Sequence, residues 1–173
     1  MRQVRKEFGT ASVTGVSPLV LGNCSHLDDL STGALVRLSQ VAKCRLVYGG
    51  ETLFRQSEQA DSVYLLLDGA IRLERSEATG KRSSYAVIAP YASFGDVVLL
   101  GEQERRYTAE ATLDSVIIEI PLRPLIDTLS GNAPQALAWR GAIMARLHRR
   151  EPDQVASFGW RILGKLSEIF EAA

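Results

Sequence analysis

The stretch Phe94 to Thr112, FGDVVLLGEQERRYTAEAT, is where the residue types of this chain come closest to chemistry. Gly95 and Asp96 open it, and an apolar run beginning with Val97 and Val98 follows. Arg105 and Arg106 then lead through Tyr107 and Thr108 into a β pattern. That order suits the holding of an anion. Glycine lets a backbone approach an anion closely, and a short helix presents N–H groups and the positive end of its dipole. Arginine answers a phosphate with a planar fork of donors. Covalent chemistry lacks its residues: His26 and His148 are far apart in sequence, and no Ser/His/Asp or Cys/His set can be assembled. The expectation is a non-enzyme with no catalytic residues and no metal site.

The elements that must position these residues fall into three zones. Residues 1–26 lack a clear period and are expected to form a mobile or loosely docked arm, its Arg2, Arg5 and Lys6 solvated. In DDLSTGALVRLSQVAK, Leu30, Leu35, Leu38 and Val41 sit near helical spacing and Ser31 is placed to cap the start. From Cys44 the pattern turns to short β-rich runs: CRLVY, ETLFRQ, SVYLLLDG, AIRLERS, SSYAVIAP, YTAEAT and SVIIEI. Regular turns between them predict a sandwich or barrel, with a hairpin turn at Asp68-Gly69. After Pro121 the helical period returns, in RPLIDTLSG stopped by Gly131 and in the longer APQALAWRGAIMARLHRR. A last helix is expected in QVASFGWRILGKLSEIFEAA, its apolar stripe running from Val155 to Phe170 and packing on the domain or a second subunit. The zones divide as a 1–26 arm, a 27–132 β-roll and 133–173 C-terminal helices.

Composition bounds the class. The 173 residues are 46% hydrophobic and 23% charged with zero formal net charge, so the chain as a whole is not a basic nucleic-acid binder. Cys24 and Cys44 form no CxxC and are expected as reduced thiols. The N-terminal MRQVRKEFGTASVTG is charged where a signal peptide needs an apolar run, and no apolar stretch is long enough to span a membrane. A cytoplasmic protein is expected.

YGGETLFRQSEQADSVYLLLDGAIRL contains Gly50, Glu51, Phe54, Gln56, Glu58, Tyr64 and Gly69, followed by TGKRSSYAVIAPYASFGD. On these residues the chain, from Leu27 to Arg150, resembles the cyclic nucleotide-binding domain family; Ser57 stands where that family usually has glycine. The resemblance implies a mainly β fold with flanking helices, a double-stranded antiparallel β-helix or jelly-roll plus C-terminal helices. It also implies a phosphate-binding cassette of the form F-G-E-L-A-L…P-R-x-A-T, whose acid takes a ribose hydroxyl. Here the cassette reads Phe94, Gly95, Asp96, Val97, Val98, Leu99. Arg105 is the phosphate arginine if Ala111 and Ile120 set the register, and Arg106 is the competing choice, which places Thr108 where the family has a small side chain. Three departures stand out: the shorter Asp96, the Val97-Val98 pair, and Tyr107 where a small residue belongs. Tyr107 shares a strand face with Arg105 and either fills the phosphate pocket or offers its hydroxyl to a ligand. Trp139, on the helix that crosses the pocket mouth in the family, is placed to stack on a purine or to join the core or a dimer interface.

The function implied is a non-catalytic sensory or regulatory module. It would bind a cyclic nucleotide (cyclic AMP, cyclic GMP or cyclic di-GMP) or a related phosphate ligand and relay it through the C-terminal helices. A homodimer through Ala136 to Arg150 and a protein partner are expected, with no membrane. Two alternatives stand beside it. One is a ligand-free interaction scaffold with a degenerate pocket. The other is a truncated catabolite-activator-type regulator, because residues 151–173 have room for one helix and not for a helix-turn-helix module; DNA enters only if that domain is missing.

Overall fold

A computed structural model of the protein describes residues 12–77 and 79–150. The final helix expected after Arg150, and the basic Arg2, Arg5 and Lys6, lie outside the described residues. Among the described residues nine strands form two antiparallel sheets, with helices on both chain sides of the roll. In chain order these are β1 (Ser12–Thr14), α1 (Pro18–Gly22), α2 (Thr32–Val41), β2 (Lys43–Val47), β3 (Thr52–Phe54), β4 (Ser62–Asp68) and β5 (Ile71–Ser76). Then come β6 (Arg82–Ile88), β7 (Ser93–Phe94), a 3₁₀ helix (Asp96–Leu100), β8 (Thr108–Ala111), β9 (Ser115–Pro121), α3 (Leu122–Ser130) and α4 (Ala133–Arg150). One sheet runs β1-β2-β9-β4-β7 and the other β3-β8-β5-β6.

Burial explains the two kinds of strand. β4 is buried from Ser62 through Leu66, and β9 buries Ile117, Ile118 and Ile120. β4 is covered on both faces, so its sequence reads as an apolar run and not as alternation, and β9 does so from Val116 to Ile118. β8 alternates: Ala109 and Ala111 point into the roll while Thr108 and Glu110 point out. Helix α2 starts where its cap was expected, the Ser31 hydroxyl accepting from the Ala34 N–H at 3.3 Å.

Two expectations change. Residues 12–26 are not a loose arm. β1 pairs with β2, α1 packs on α2, and Leu21 and Cys24 are fully buried. The segment is too short to show a period, but Pro18 sits at the first position of α1 and a few apolar side chains are enough to dock it. Burial also pushes the Cys24 thiol up to about 11.

The Asp68-Gly69 turn is not a hairpin either, because β4 and β5 belong to different sheets. The turn carries the chain from one sheet to the other. Gly69 has φ 95°, and a Cβ there would lie 2.3 Å from Ser115 Oγ and 2.7 Å from the Asp114 carbonyl oxygen. Glycine is required both for the left-handed backbone and for the close approach of the turn before β9. Gly69→Ala is therefore expected to destabilise the domain by about 1–3 kcal/mol in urea unfolding, with an unchanged m-value.

A cassette held closed by its own side chains

β7 pairs with Tyr64 and Leu65 of β4, which brings Phe94 and the cassette against the middle of β4, at the edge of the five-stranded sheet. Gly95 then turns the chain in the left-handed region at φ 68°, and Gly101 ends the 3₁₀ helix at φ 94°. All five residues between them are buried. A pair of β-branched residues, Val97 and Val98, is poor helix material, and the segment winds as one tight 3₁₀ helix.

Arg105 lies beneath this turn and is 4% exposed. Its Nη1 donates to the carbonyl oxygens of Ser62 at 2.8 Å and Gly95 at 3.2 Å, and its Nη2 donates to Ser62 Oγ at 3.3 Å. The guanidinium carbon sits 4.3 Å over the Phe54 ring and 5.3 Å from that of Tyr64. Asp61, itself largely exposed, is an ionic partner at 3.6 Å. Burial pulls the guanidinium pKa down, and the surrounding acids, Asp61 among them, work the other way. The backbone is fixed as well: Arg105 N–H donates to the Glu58 carbonyl at 2.7 Å, and its own carbonyl accepts from Ser57 N–H at 2.8 Å. A Cβ on Gly95 would meet Arg105 Nη1 at 2.8 Å, so glycine is needed for the arginine to reach the backbone.

Tyr107 is turned inward and is 5% exposed, its ring stacked on Tyr85 with centroids 4.0 Å apart. It closes the space shared with Gly95, Val97, Val98, Arg105 and Arg106 down to about 10 Å³. That is the room of roughly one water molecule, whereas small-molecule pockets run to hundreds of Å³. A cyclic nucleotide does not fit this arrangement of residues. Thr108 points to the opposite face, where its hydroxyl accepts from Gln56 N–H at 3.1 Å.

Asp96 also turns away from Arg105. Only 1% exposed, its carboxylate accepts from Ser93 Oγ at 2.7 Å, from Trp139 Nε1 at 3.2 Å and from Arg146 Nη2 in a short ion pair. The carboxylate expected to meet a sugar hydroxyl thus has three protein donors, two of them from α4. Trp139 is fully buried and stacks on His26 at 5.4 Å, so in this arrangement its ring is a core residue and not an exposed purine platform. Gln135 Nε2 donates to the His26 carbonyl at 2.7 Å and fixes that ring's segment, where His26 has φ 71°. Burial lowers the His26 pKa, the nearby Asp96 carboxylate opposing it.

The structure thus brings Gly95, Val97, Val98, Arg105, Arg106 and Tyr107 together around one small space. It places Asp96 with Trp139 on the α4 side and Thr108 outside. Sequence reasoning missed Ser62, Ser93, His26, Gln135 and Arg146 as members of the region. A signal was present for the last: Gln135, Trp139 and Arg146 are four and seven residues apart, one face of a helix.

The family model for the cyclic nucleotide-binding domain matches residues 45–132, just over half of the chain. The chain belongs to the cyclic nucleotide-binding domain family. Among curated proteins it is 32% identical over 104 residues to the cyclic AMP receptor protein of Thermus thermophilus, covering 60% of this chain and 45% of that protein. It is 24% identical over 141 residues to lysophospholipase nte1 of Neurospora crassa, covering 82% of this chain and 9% of the relative. The chain therefore spans less than half the length of either. Among solved structures, the sensor domain of the transcriptional regulator DNR from Pseudomonas aeruginosa superposes with TM-score 0.68 at 24% identity, over 78% of this chain and 91% of that one. The catabolite activator protein of Thermus thermophilus does so with TM-score 0.59 at 26% identity, over 86% and 63%. The β-roll expected from the sequence is the fold of this family member.

Asp96 is the more buried partner of its ion pair, at 1% against 28% for the Arg146 side chain. Arg146→Met should leave a buried carboxylate with two neutral donors, at a cost of about 2 kcal/mol. This falls below the about 3–5 kcal/mol of a fully buried pair because Ser93 and Trp139 remain. Urea unfolding of Arg146→Met beside Asp96→Asn and the double variant measures the coupling, which should exceed about 0.5 kcal/mol.

Proposed function

We propose that the chain is a non-catalytic regulatory module of the cyclic nucleotide-binding fold, working with a pocket held shut by its own side chains and an output read from α4. The observation that carries this reading is the Arg105 guanidinium. Its Nη atoms already meet Ser62, Gly95 and Asp61, and Tyr107 fills the space beside it. A phosphate would have to displace those partners and the tyrosine together. Output through α4 is supported by the Asp96 carboxylate, which joins the cassette to Trp139 and Arg146. A shift of the cassette then biases the helix between two positions.

Calorimetric titration of the full chain with cyclic AMP, cyclic GMP and cyclic di-GMP tests this. No saturable heat is expected with any of them. Saturable binding by one, weakened in Arg105→Lys, would instead support a ligand-binding sensor. The reading of a nucleotide sensor keeps one observation in its favour: Gly95 retains its left-handed turn directly beside a buried arginine, the two parts a phosphate needs.

Assembly follows from the other face of α4. Ile143 and Leu147 are buried in the domain, while Leu137, Ala138, Gly141 and Ala145 form an exposed stripe, with Leu137 59% exposed. Small residues beside one leucine let a second helix approach closely, which supports a homodimer through this face. Leu137→Glu is expected to shift the sedimentation of the chain from dimer to monomer without lowering its helix content.

A further inference from the structure

The outer face of the sheet β3-β8-β5-β6 carries a groove of about 330 Å³, within the range of small-molecule sites. Strand register builds it. Thr52 pairs with Glu110, Glu74 with Thr108 and Ser76 with Arg82, so these outward side chains share one surface. The β3–β4 turn, with Arg55 and Ser57, forms the opposite wall.

Its charges are unevenly answered. Arg72 reaches Glu74 at 3.0 Å and Glu110 at 3.1 Å, so a single guanidinium serves both carboxylates of the groove. Arg55 and Arg82 line the same groove from different elements, and among the described residues neither side chain has an acidic partner. Arg55 and Arg82 share the groove with Glu74 and Glu110, but those carboxylates are turned to Arg72, so the two guanidiniums and the hydroxyls beside them offer donors to an anion with several acceptor oxygens. The walls are also pinned in place. Gln56 Nε2 donates to the Ser76 carbonyl at 3.2 Å, and Ser76 N–H donates to Gln56 Oε1 at 2.7 Å, tying the turn to β5.

One residue links the groove to the cassette. Ser57 lines the groove and holds φ 66°, a left-handed backbone that costs a non-glycine residue energy. Its N–H is the one that donates to the Arg105 carbonyl. We propose that this groove is a second binding site, for a small molecule bearing phosphate or carboxylate groups, and that its occupancy reaches the cassette through Ser57 and Arg105. The input to the module would then come from the outside of the roll while the inner pocket stays filled.

The test follows amide resonances of the full chain during titration with inorganic phosphate and, in a second arm, citrate, both at constant ionic strength. Saturable shifts at Gln56, Ser57 and Thr108 are expected with at least one of the two, and the arm that saturates names the anion class. Arg55→Ala and Arg82→Ala should each weaken binding by about tenfold, the loss of one or two charge-assisted bonds. Arg123→Ala, on the exposed face of α3, should bind as the parent does; thermal midpoints of all three variants serve as the folding control. Linear, unsaturating shifts that are the same in every variant mean ionic screening only and overturn the site. Saturable shifts at Gly95 to Leu100 with the groove silent also overturn it, and they count separately against the closed-pocket reading.

Discussion

A buried guanidinium organises this region of the roll. Arg105 lies against the stacked rings of Phe54 and Tyr64 with 4% of its surface exposed. A charge that far from water is tolerable only when its donors are matched by fixed acceptors and its faces by polarisable groups. The Ser62 and Gly95 carbonyls, the Ser62 hydroxyl and the two rings supply this. Each comes from a different part of the fold: Phe54 from β3, Ser62 and Tyr64 from β4, Gly95 from the cassette. Satisfying one cation therefore fixes where these three elements meet. It also explains why glycine is needed at 95, since a Cβ would lie only 2.8 Å from the Nη1 atom.

The cassette is consequently held from two sides by two arginines acting in different ways. Arg105 takes a carbonyl oxygen of the cassette from below, a neutral acceptor. Arg146 takes the Asp96 carboxylate from the α4 side, a charged one. Asp96 and Arg105 do not answer each other, although they are opposite charges close in the chain. Turning the carboxylate outward gives the buried Trp139 N–H a partner and gives α4 an ionic tether. Turning it inward would leave both without one. The arrangement satisfies more buried polar groups than a direct pair would, which is the condition native interiors meet.

The chain states its fold more openly than its site. Short β runs, the Ser31 cap and the return to helical period after Pro121 mark the elements, because backbone propensity and burial act locally. Pairing is less legible. Asp68-Gly69 carries the composition of a hairpin turn, yet the glycine is set by a non-local contact with Ser115, which no window of sequence contains. The same holds for the site. Gly95 and Arg105 could be found by order and spacing. The direction of Asp96 could not, since it depends on Arg146 and Trp139 about fifty residues onward. Tyr107 was visible as an oversized residue, and only the stack on Tyr85 decides that it fills the roll.

The groove, Arg105 and α4 are joined by contacts that run along the wall of the filled pocket. Ser57 bonds the Arg105 carbonyl, Arg105 bonds the Gly95 carbonyl, and the residue after Gly95 is the Asp96 that holds α4. Contiguity alone is not coupling; a link transmits only if it has two arrangements that both ends bias. Here the contact most open to change is identifiable. Among the described residues the Arg105 Nε has no hydrogen-bond partner, and the ionic contact of this guanidinium with the exposed Asp61 is long at 3.6 Å. Its hold on Gly95, at 3.2 Å, is weaker than its hold on Ser62, at 2.8 Å. A small displacement of the Arg105 backbone would break the cassette bond first while keeping the charge satisfied on β4. The cassette would then be free to follow Asp96 and α4, or to restrain them, according to whether that single bond is made.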